Sequence, residues 1–274
     1  VTGVQTCALP ILNTRRAPYD DVRVRKALRP LFNREQMIEK LMFGQYEPLN
    51  SAFPGSIYEN PNNEKLKYDP QMAVQLLAEA GWKDRNAQGQ LVKNGTPMTL
   101  ELLYNDHQWE RYFTIYQDDL RKVGITLNLR YATPETSYKL LDEQQFGMFH
   151  VAWGGGGPFP EPKQFFGSDQ ADQKASGNVT GFKDKRADEI IELYNREFDV
   201  KKRAALIREL DGIYMAQHEY VFLWYGPFTR MLYWNKFGQP KGIITRLGDY
   251  RDPVSLWWID PQKNAALEIG RAHV

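Results

Sequence analysis

Between Met98 and Trp153 the apolar residues change their period repeatedly, and that change constrains the fold more than any other feature of the chain. Met98, Leu100 and Leu102 alternate as in a strand, whereas Trp109, Phe113, Tyr116 and Leu120 recur at helical spacing. Ile125, Leu127 and Leu129 alternate again, a helix is expected after Pro134, and Phe146 to Trp153 reads as a third strand. Strands separated by helices need crossover connections, which place the strands side by side in one sheet with helices on its faces. The expected fold class is therefore α/β.

The flanks add helices. Pro18 followed by Asp20 and Asp21 reads as a turn into a helix start, where acidic side chains satisfy free N–H groups and favour the helix dipole. Val24, Ala27, Leu28 and Leu31 then fall at helical spacing, Pro30 bends or ends that helix, and a second runs through Met37, Ile38 and Leu41 to Gly44. Arg23 and Arg25 flank the apolar face and read as solvated or carboxylate-paired surface. Residues 45–67 read as an irregular connection. Asp69-Pro70 supplies an N-cap and first-turn proline for a helix carrying Ala73, Leu76, Leu77 and Ala80, with Gly81 as its stop and Trp82 as a lid on its end. Past the sheet, one helix carries Ala187, Ile190, Ile191 and Tyr194, and the next Leu206, Leu210, Ile213 and Tyr214. Apolar strands are expected from Tyr220 to Tyr225 and from Phe228 to Trp234.

Charge is nearly balanced, with 35 Lys+Arg against 34 Asp+Glu, so a basic nucleic-acid footprint is absent. No stretch approaches the roughly 20 apolar residues of a membrane-spanning helix. Residues 1–11 and 268–274 can be written in codons that make a stretch of the front string the reverse complement of the back one, so both are expected to be adapter-derived and not native. Setting them aside leaves Leu12 to Leu267 and removes the single cysteine, Cys7. A disulfide, a Cys-ligated metal or a thiol nucleophile is then not expected.

The densest chemistry follows the third strand: Trp153-Gly154-Gly155-Gly156-Gly157-Pro158-Phe159-Pro160-Glu161-Pro162. Ligands of open α/β sheets collect at strand C-terminal ends. The glycines let backbone approach a ligand, and Trp153 and Phe159 offer flat apolar faces. A phosphate loop is disfavoured because no Gly-Lys-Ser/Thr follows. Among the later aromatics, Trp224 and Tyr225 end an apolar strand and are ligand-contact candidates. Catalytic readings lack a basis. His107, His150 and His218 show no metal spacing, no Gly-x-Ser-x-Gly elbow is present, and Asp118-Asp119 diverge on a helix.

The run from Asn13-Thr14-Arg15-Arg16 through Ala27-Leu28, with Ala78-Glu79-Ala80-Gly81-Trp82 downstream, resembles the entry to the large C-terminal lobe of family 5 extracellular solute-binding proteins, the peptide and oligopeptide receptors of ABC importers. The resemblance implies a C-terminal lobe of a two-lobed periplasmic binding protein of type II, cluster C-like, truncated at its N-terminus. Residues 12–226 would form the ligand-binding lobe and 227–267 a return segment toward the first lobe. It implies a non-enzymatic protein without cofactor or metal, which captures a peptide-like or oligosaccharide ligand by lobe closure. Its partners would be that ligand and a membrane permease. Location would be periplasmic or lipid-anchored at the surface, and the complete protein a monomer. Relatives usually place an aspartate after the tryptophan to take a ligand's ammonium group; glycine and proline stand there, and Glu161 is the nearest acid. Gly44-Gln45-Tyr46, Ser51-x-Phe53, Gly177-Asn178-x-x-Gly181-Phe182, Tyr233-Trp234-x-x-Phe237 and Trp257-Trp258-x-Asp260 are similar to the branch that binds modified peptides or oligosaccharides. A regulator's ligand-sensing domain on the same fold is the alternative.

Overall fold

The computed structural model describes residues 7–153, 159–228, 232–241 and 254–271. Two compact units result: Cys7–Ala152 with Glu161–Tyr225, and a smaller one holding Trp153–Pro160 and the chain from Gly226 onward. In chain order the larger unit runs β1 (Cys7–Leu12), α1 (Val22–Leu28), α2 (Arg34–Leu41), β2 (Glu47–Pro48), α3 (Pro70–Glu79), β3 (Asp84–Arg85), β4 (Leu91–Lys93), β5 (Thr96–Pro97), β6 (Thr99–Tyr104), α4 (Glu110–Lys122), β7 (Thr126–Tyr131), α5 (Pro134–Asp142) and β8 (Met148–Trp153). It closes with α6 (Pro162–Phe166), α7 (Lys185–Arg196), α8 (Val200–Ala216) and β9 (Trp224–Tyr225). The smaller unit carries β10 (Phe237–Gly238) paired antiparallel with β11 (Trp258–Ile259), and α9 (Pro261–Arg271).

The main sheet has the order β1-β8-β6-β7. β6 is parallel to β7, from Thr99 opposite Thr126 to Tyr104 opposite Tyr131, and parallel to β8, with Leu102 opposite Met148. The chain therefore steps outward from β6 to β7 and returns past β6 to β8. Leu100, Leu102, Leu127 and Met148 share a core with Phe113, Tyr116 and Leu120 of α4. Phe149, one residue on and so on the other face of β8, meets Phe146 and Tyr138 of α5.

Local signals explain the boundaries. Asp69 caps α3 by accepting from Met72 N at 2.9 Å. Beyond it Gly81 adopts φ +91° while Gly81 N and Trp82 N bond Ala78 O and Leu77 O, a Schellman ending whose glycine conformation a side chain would strain. Asn94 and Gly95, both at positive φ, join β4 to β5 as a two-residue hairpin that the alternation reading missed.

Several expectations are corrected. Arg25 is buried, because its Nε donates to Gln217 O (2.8 Å) and its Nη1 to Tyr19 O (2.8 Å). One turn on, Arg29 Nη1 meets His218 Nδ1 at 2.8 Å and its guanidinium lies over the Phe222 ring. Arg34 donates to Phe222 O (3.1 Å), Leu66 O (3.0 Å), Asn50 Oδ1 (2.8 Å) and Leu49 O. These arginines therefore clamp the returning chain; carboxylate pairing here is confined to Arg23 with Asp21 and the Arg34 Nε with its neighbour Glu35 (3.1 Å). That clamped chain is mostly irregular: of Tyr220–Tyr225 only Trp224–Tyr225 is strand, paired with β2, plus a bridge from Tyr220 to Ile11. Phe228 and residues 232–234 are not strand, and 229–231 lie outside the described residues. Residues 7–11, set outside the fold by the codon argument, form most of β1, with Ile11 buried and Val221 N bonded to Pro10 O at 2.9 Å.

The motif residues themselves are staples. Asn13 Nδ2 donates to Gln144 O and Phe146 O, both at 3.1 Å, and Thr14 Oγ1 to Thr180 O at 2.8 Å. Arg15 donates to Val179 O (3.1 Å), Asn178 O (3.2 Å) and Ala171 O. Asn178 is enclosed and binds Gly167 O (3.0 Å) and Phe182 O (2.9 Å) while accepting from Phe182 N (2.9 Å). A Cβ on Gly181 would meet Thr14 Oγ1 and Arg15 Cζ at 2.9 Å, which accounts for glycine there.

Candidate functional site

The strand order reverses at β6, so the C-terminal ends of β6 and β8 border a topological switch point, where an α/β sheet opens a crevice. The turn leaving β6 is a 3-10 helix, His107–Trp109, started by Asp106, whose carboxylate accepts from Gln108 N at 2.9 Å. Trp109 belongs to this turn and precedes α4, one residue away from its expected place inside the helix.

This short turn reaches both neighbouring strands. On one side His107 stacks on Tyr131 of β7 with ring centroids 3.9 Å apart and planes at 15°, and Tyr104 meets both edge-on. His107 Nδ1 lies 3.1 Å from Glu110 Oε2. The pair is open to solvent, Tyr131 being 42% exposed. Tyr104 has its phenol pKa raised, chiefly by burial and then by the Glu110 carboxylate. On the other side Trp109 lies 4.3 Å from the His150 ring of β8, and Phe113 meets that ring edge-on at 5.1 Å. His150 is 4% exposed, and its Nε2 has no hydrogen-bond partner among the described residues. Burial lowers its pKa to about 3, so the imidazole is neutral at physiological pH.

Such an edge stacks flat groups and offers hydrogen bonds; no cluster of three or more His, Cys, Asp or Glu with metal-binding placement occurs among the described residues. A shallow depression of about 500 Å³ on α7 is lined by charged side chains and Leu193, without any ring.

Of the residues singled out in the sequence, Trp153 ends β8 but its side chain, with Gly154, Gly155 and Gly156, lies outside the described residues. Phe159 is 46% exposed, in the smaller unit. Glu161 is exposed and immediately precedes α6 without a side-chain capping bond. Trp224 and Tyr225 are both enclosed. Trp224 is 2% exposed, stacked on Trp109 (5.8 Å) and wedged against Tyr112 (5.2 Å) and Phe32 (6.0 Å), so it packs the core. Tyr225 is buried in β9 with its hydroxyl 2.5 Å from Glu47 Oε2, a tether to β2. Sequence reasoning missed His107, Tyr131 and the pairing of Trp109 with His150. The available signal was the Tyr104-Asn-Asp-His107-Gln-Trp109 string directly after a strand.

The model of bacterial extracellular solute-binding proteins, family 5, matches residues 7–176, more than half of the chain. The chain belongs to this family. Among relatives of this solute-binding protein, the oligopeptide-binding protein AppA of Bacillus subtilis is 28% identical over 231 residues, 78% of this chain and 40% of that protein. The structure of AppA with a nonapeptide matches with a TM-score of 0.77 at 21% identity, covering 94% of this chain and 51% of the other. A mannohexaose-bound oligopeptide-binding protein of Thermotoga maritima matches with a TM-score of 0.72 at 22% identity, over 81% of this chain and 44% of that one. The fold is thus that of periplasmic binding proteins of this family, and the chain spans about half the length of the relatives it matches. Members of the family are binding proteins, extracellular or periplasmic, and nothing found supports the regulator reading.

Proposed function

We propose that this chain supplies one lobe of the capture component of an ABC importer. A peptide-like or oligosaccharide ligand lies against the C-terminal edge of the main sheet, a second lobe closes over it, and the closed form delivers it to a membrane permease. The observation carrying this is the half-exposed ring edge at the switch point of a family 5 fold. Stacked rings contribute about 0.5–1.5 kcal/mol each beyond their buried area, so a few rings with hydrogen bonds reach the roughly −8 kcal/mol of micromolar capture. Among the described residues that edge carries no serine, threonine, cysteine or lysine beside a base, so no reaction is assigned and ATP hydrolysis belongs to the importer. The protein works outside the cytoplasmic membrane, as a monomer. Trp153, the following glycines, Phe159 and Glu161 border the ligand, and the chain after Gly226 leads toward the other lobe. Its exposed Leu232, Trp234, Leu256, Trp258 and Ile259 fit a surface covered in the complete protein.

The test is a thermal-shift series on the full-length protein with di- to hexapeptides, N-blocked peptides and oligosaccharides. Stabilisation by one class supports capture and identifies the ligand type. No shift with any of them overturns the reading.

A further inference from the structure

Among the described residues His150 Nε2 is one of six buried side-chain polar atoms without a hydrogen-bond partner, and the other five all belong to arginine or glutamate side chains. Buried polar atoms in native proteins are nearly always hydrogen-bonded, and leaving one unpaired costs about 1–3 kcal/mol. A phenylalanine would fill the same ring-lined space beside Trp109 and Phe113 without that cost, so packing alone does not account for histidine.

Its position does. On β8, side chains alternate between faces, so Met148, His150 and Ala152 share one. Met148 is fully enclosed and Ala152 is exposed, which makes His150 the last covered side chain before that face emerges at the strand's C-terminal end. That end borders the switch-point crevice, and the ring beside it, Trp109, is itself only partly buried. We propose that His150 Nε2 is a ligand contact at the floor of this crevice, bonding an uncharged polar group of the ligand, a peptide amide or a sugar hydroxyl, while Trp109 covers that group's apolar flank. An uncharged partner is required because Trp109 and Phe113 offer no counter-charge, and burying a lone charge there is costly. The neutral imidazole serves either as donor or as acceptor, according to its tautomer.

This inference rests on the capture reading, and the experiment separates the two. Full-length wild type and His150→Phe are titrated with penta-alanine and with mannohexaose, and their urea midpoints are compared. The expected result is at least tenfold weaker binding of whichever probe binds wild type, with an unchanged or higher urea midpoint. Penta-alanine binding identifies the amide as the partner, mannohexaose binding the hydroxyl. Equal affinity in His150→Phe overturns the inference and leaves capture standing. If neither probe binds, diethylpyrocarbonate decides: carbethoxylation of His150 in the folded protein, read by peptide mass, shows a reachable nitrogen and supports the contact, whereas a fully protected His150 overturns it.

Discussion

The stretch from Asn13 to Arg34 and the C-terminal edge of the sheet are built on opposite principles. In the first, polar side chains are enclosed and donate to named carbonyls: Asn13 to Gln144 and Phe146, Arg25 to Gln217 and Tyr19, Arg34 to Phe222 and Leu66. In the second, His107 and Tyr131 stack in the open and His150 keeps an unpaired nitrogen. Arg15 Nε and Arg29 Nη2 are unpaired in the first region too, but those guanidinium groups are held through their other nitrogens, whereas among the described residues no such hydrogen bond anchors the His150 ring. The residues that make the family recognisable therefore hold the scaffold, while the candidate site stands on residues outside those motifs.

The sharpest way to break this contrast is Trp224→Ala. If Trp224 is core, equilibrium unfolding in urea shows a loss of about 3–5 kcal/mol; a near-normal midpoint with lost ligand binding would return it to the site. Asn178→Ala should cost about 2–3 kcal/mol by the same measurement, since it strands Gly167 O and Phe182 N.

The pH dependence of the urea midpoint tests the buried ionisable groups. Burial, with Arg29 second, lowers the His218 pKa to about 3 from an ordinary 6.5, and burial does the same for His150. Their neutral folded forms hold fewer protons than the unfolded chain, so stability falls as pH drops from 6.5 toward 3. Burial raises Glu219 to about 7 from 4.5, which works the other way: its stabilisation is present below pH 4.5 and is lost as pH rises through 7. Glu219→Gln should therefore be more stable than wild type at pH 8. The smallest effect is expected from His107→Ala, which removes one exposed ring pair and should change stability by under about 1 kcal/mol. A larger loss would make the open edge part of the scaffold after all.

Most of the scaffold was legible because burial imposes a period. The β6-α4-β7-α5-β8 order followed from alternating and helical spacing, and the start and stop of α3 from Asp69, Pro70 and Gly81. The β4–β5 hairpin was equally legible in Asn94-Gly95 and went unread. Arg25 and Arg34 were opaque, because a guanidinium that ends largely on main-chain oxygens has no partner residue type to search for, and Arg29 meets a histidine 189 residues away. Tyr220–Tyr225 read as a full strand since a buried extended segment and a strand share composition; what holds it is side-chain clamping more than a ladder. At the edge, stacking of His107 on Tyr131 joins two strand ends that only the β6–β7 register brings together.

The arginine clamp also sets a timetable for the newborn chain. Arg25, Arg29 and Arg34 find their partners 192, 189 and 188 residues downstream. Until that distant segment is synthesised, Arg29 lacks its His218 partner, and Arg25 and Arg34 have only local acceptors, such as Tyr19 O for the first and Leu49 O, Asn50 Oδ1 and Leu66 O for the second. The clamp on the first helices is therefore completed only late in synthesis, when the irregular segment from Gln217 to Phe222 arrives to close it.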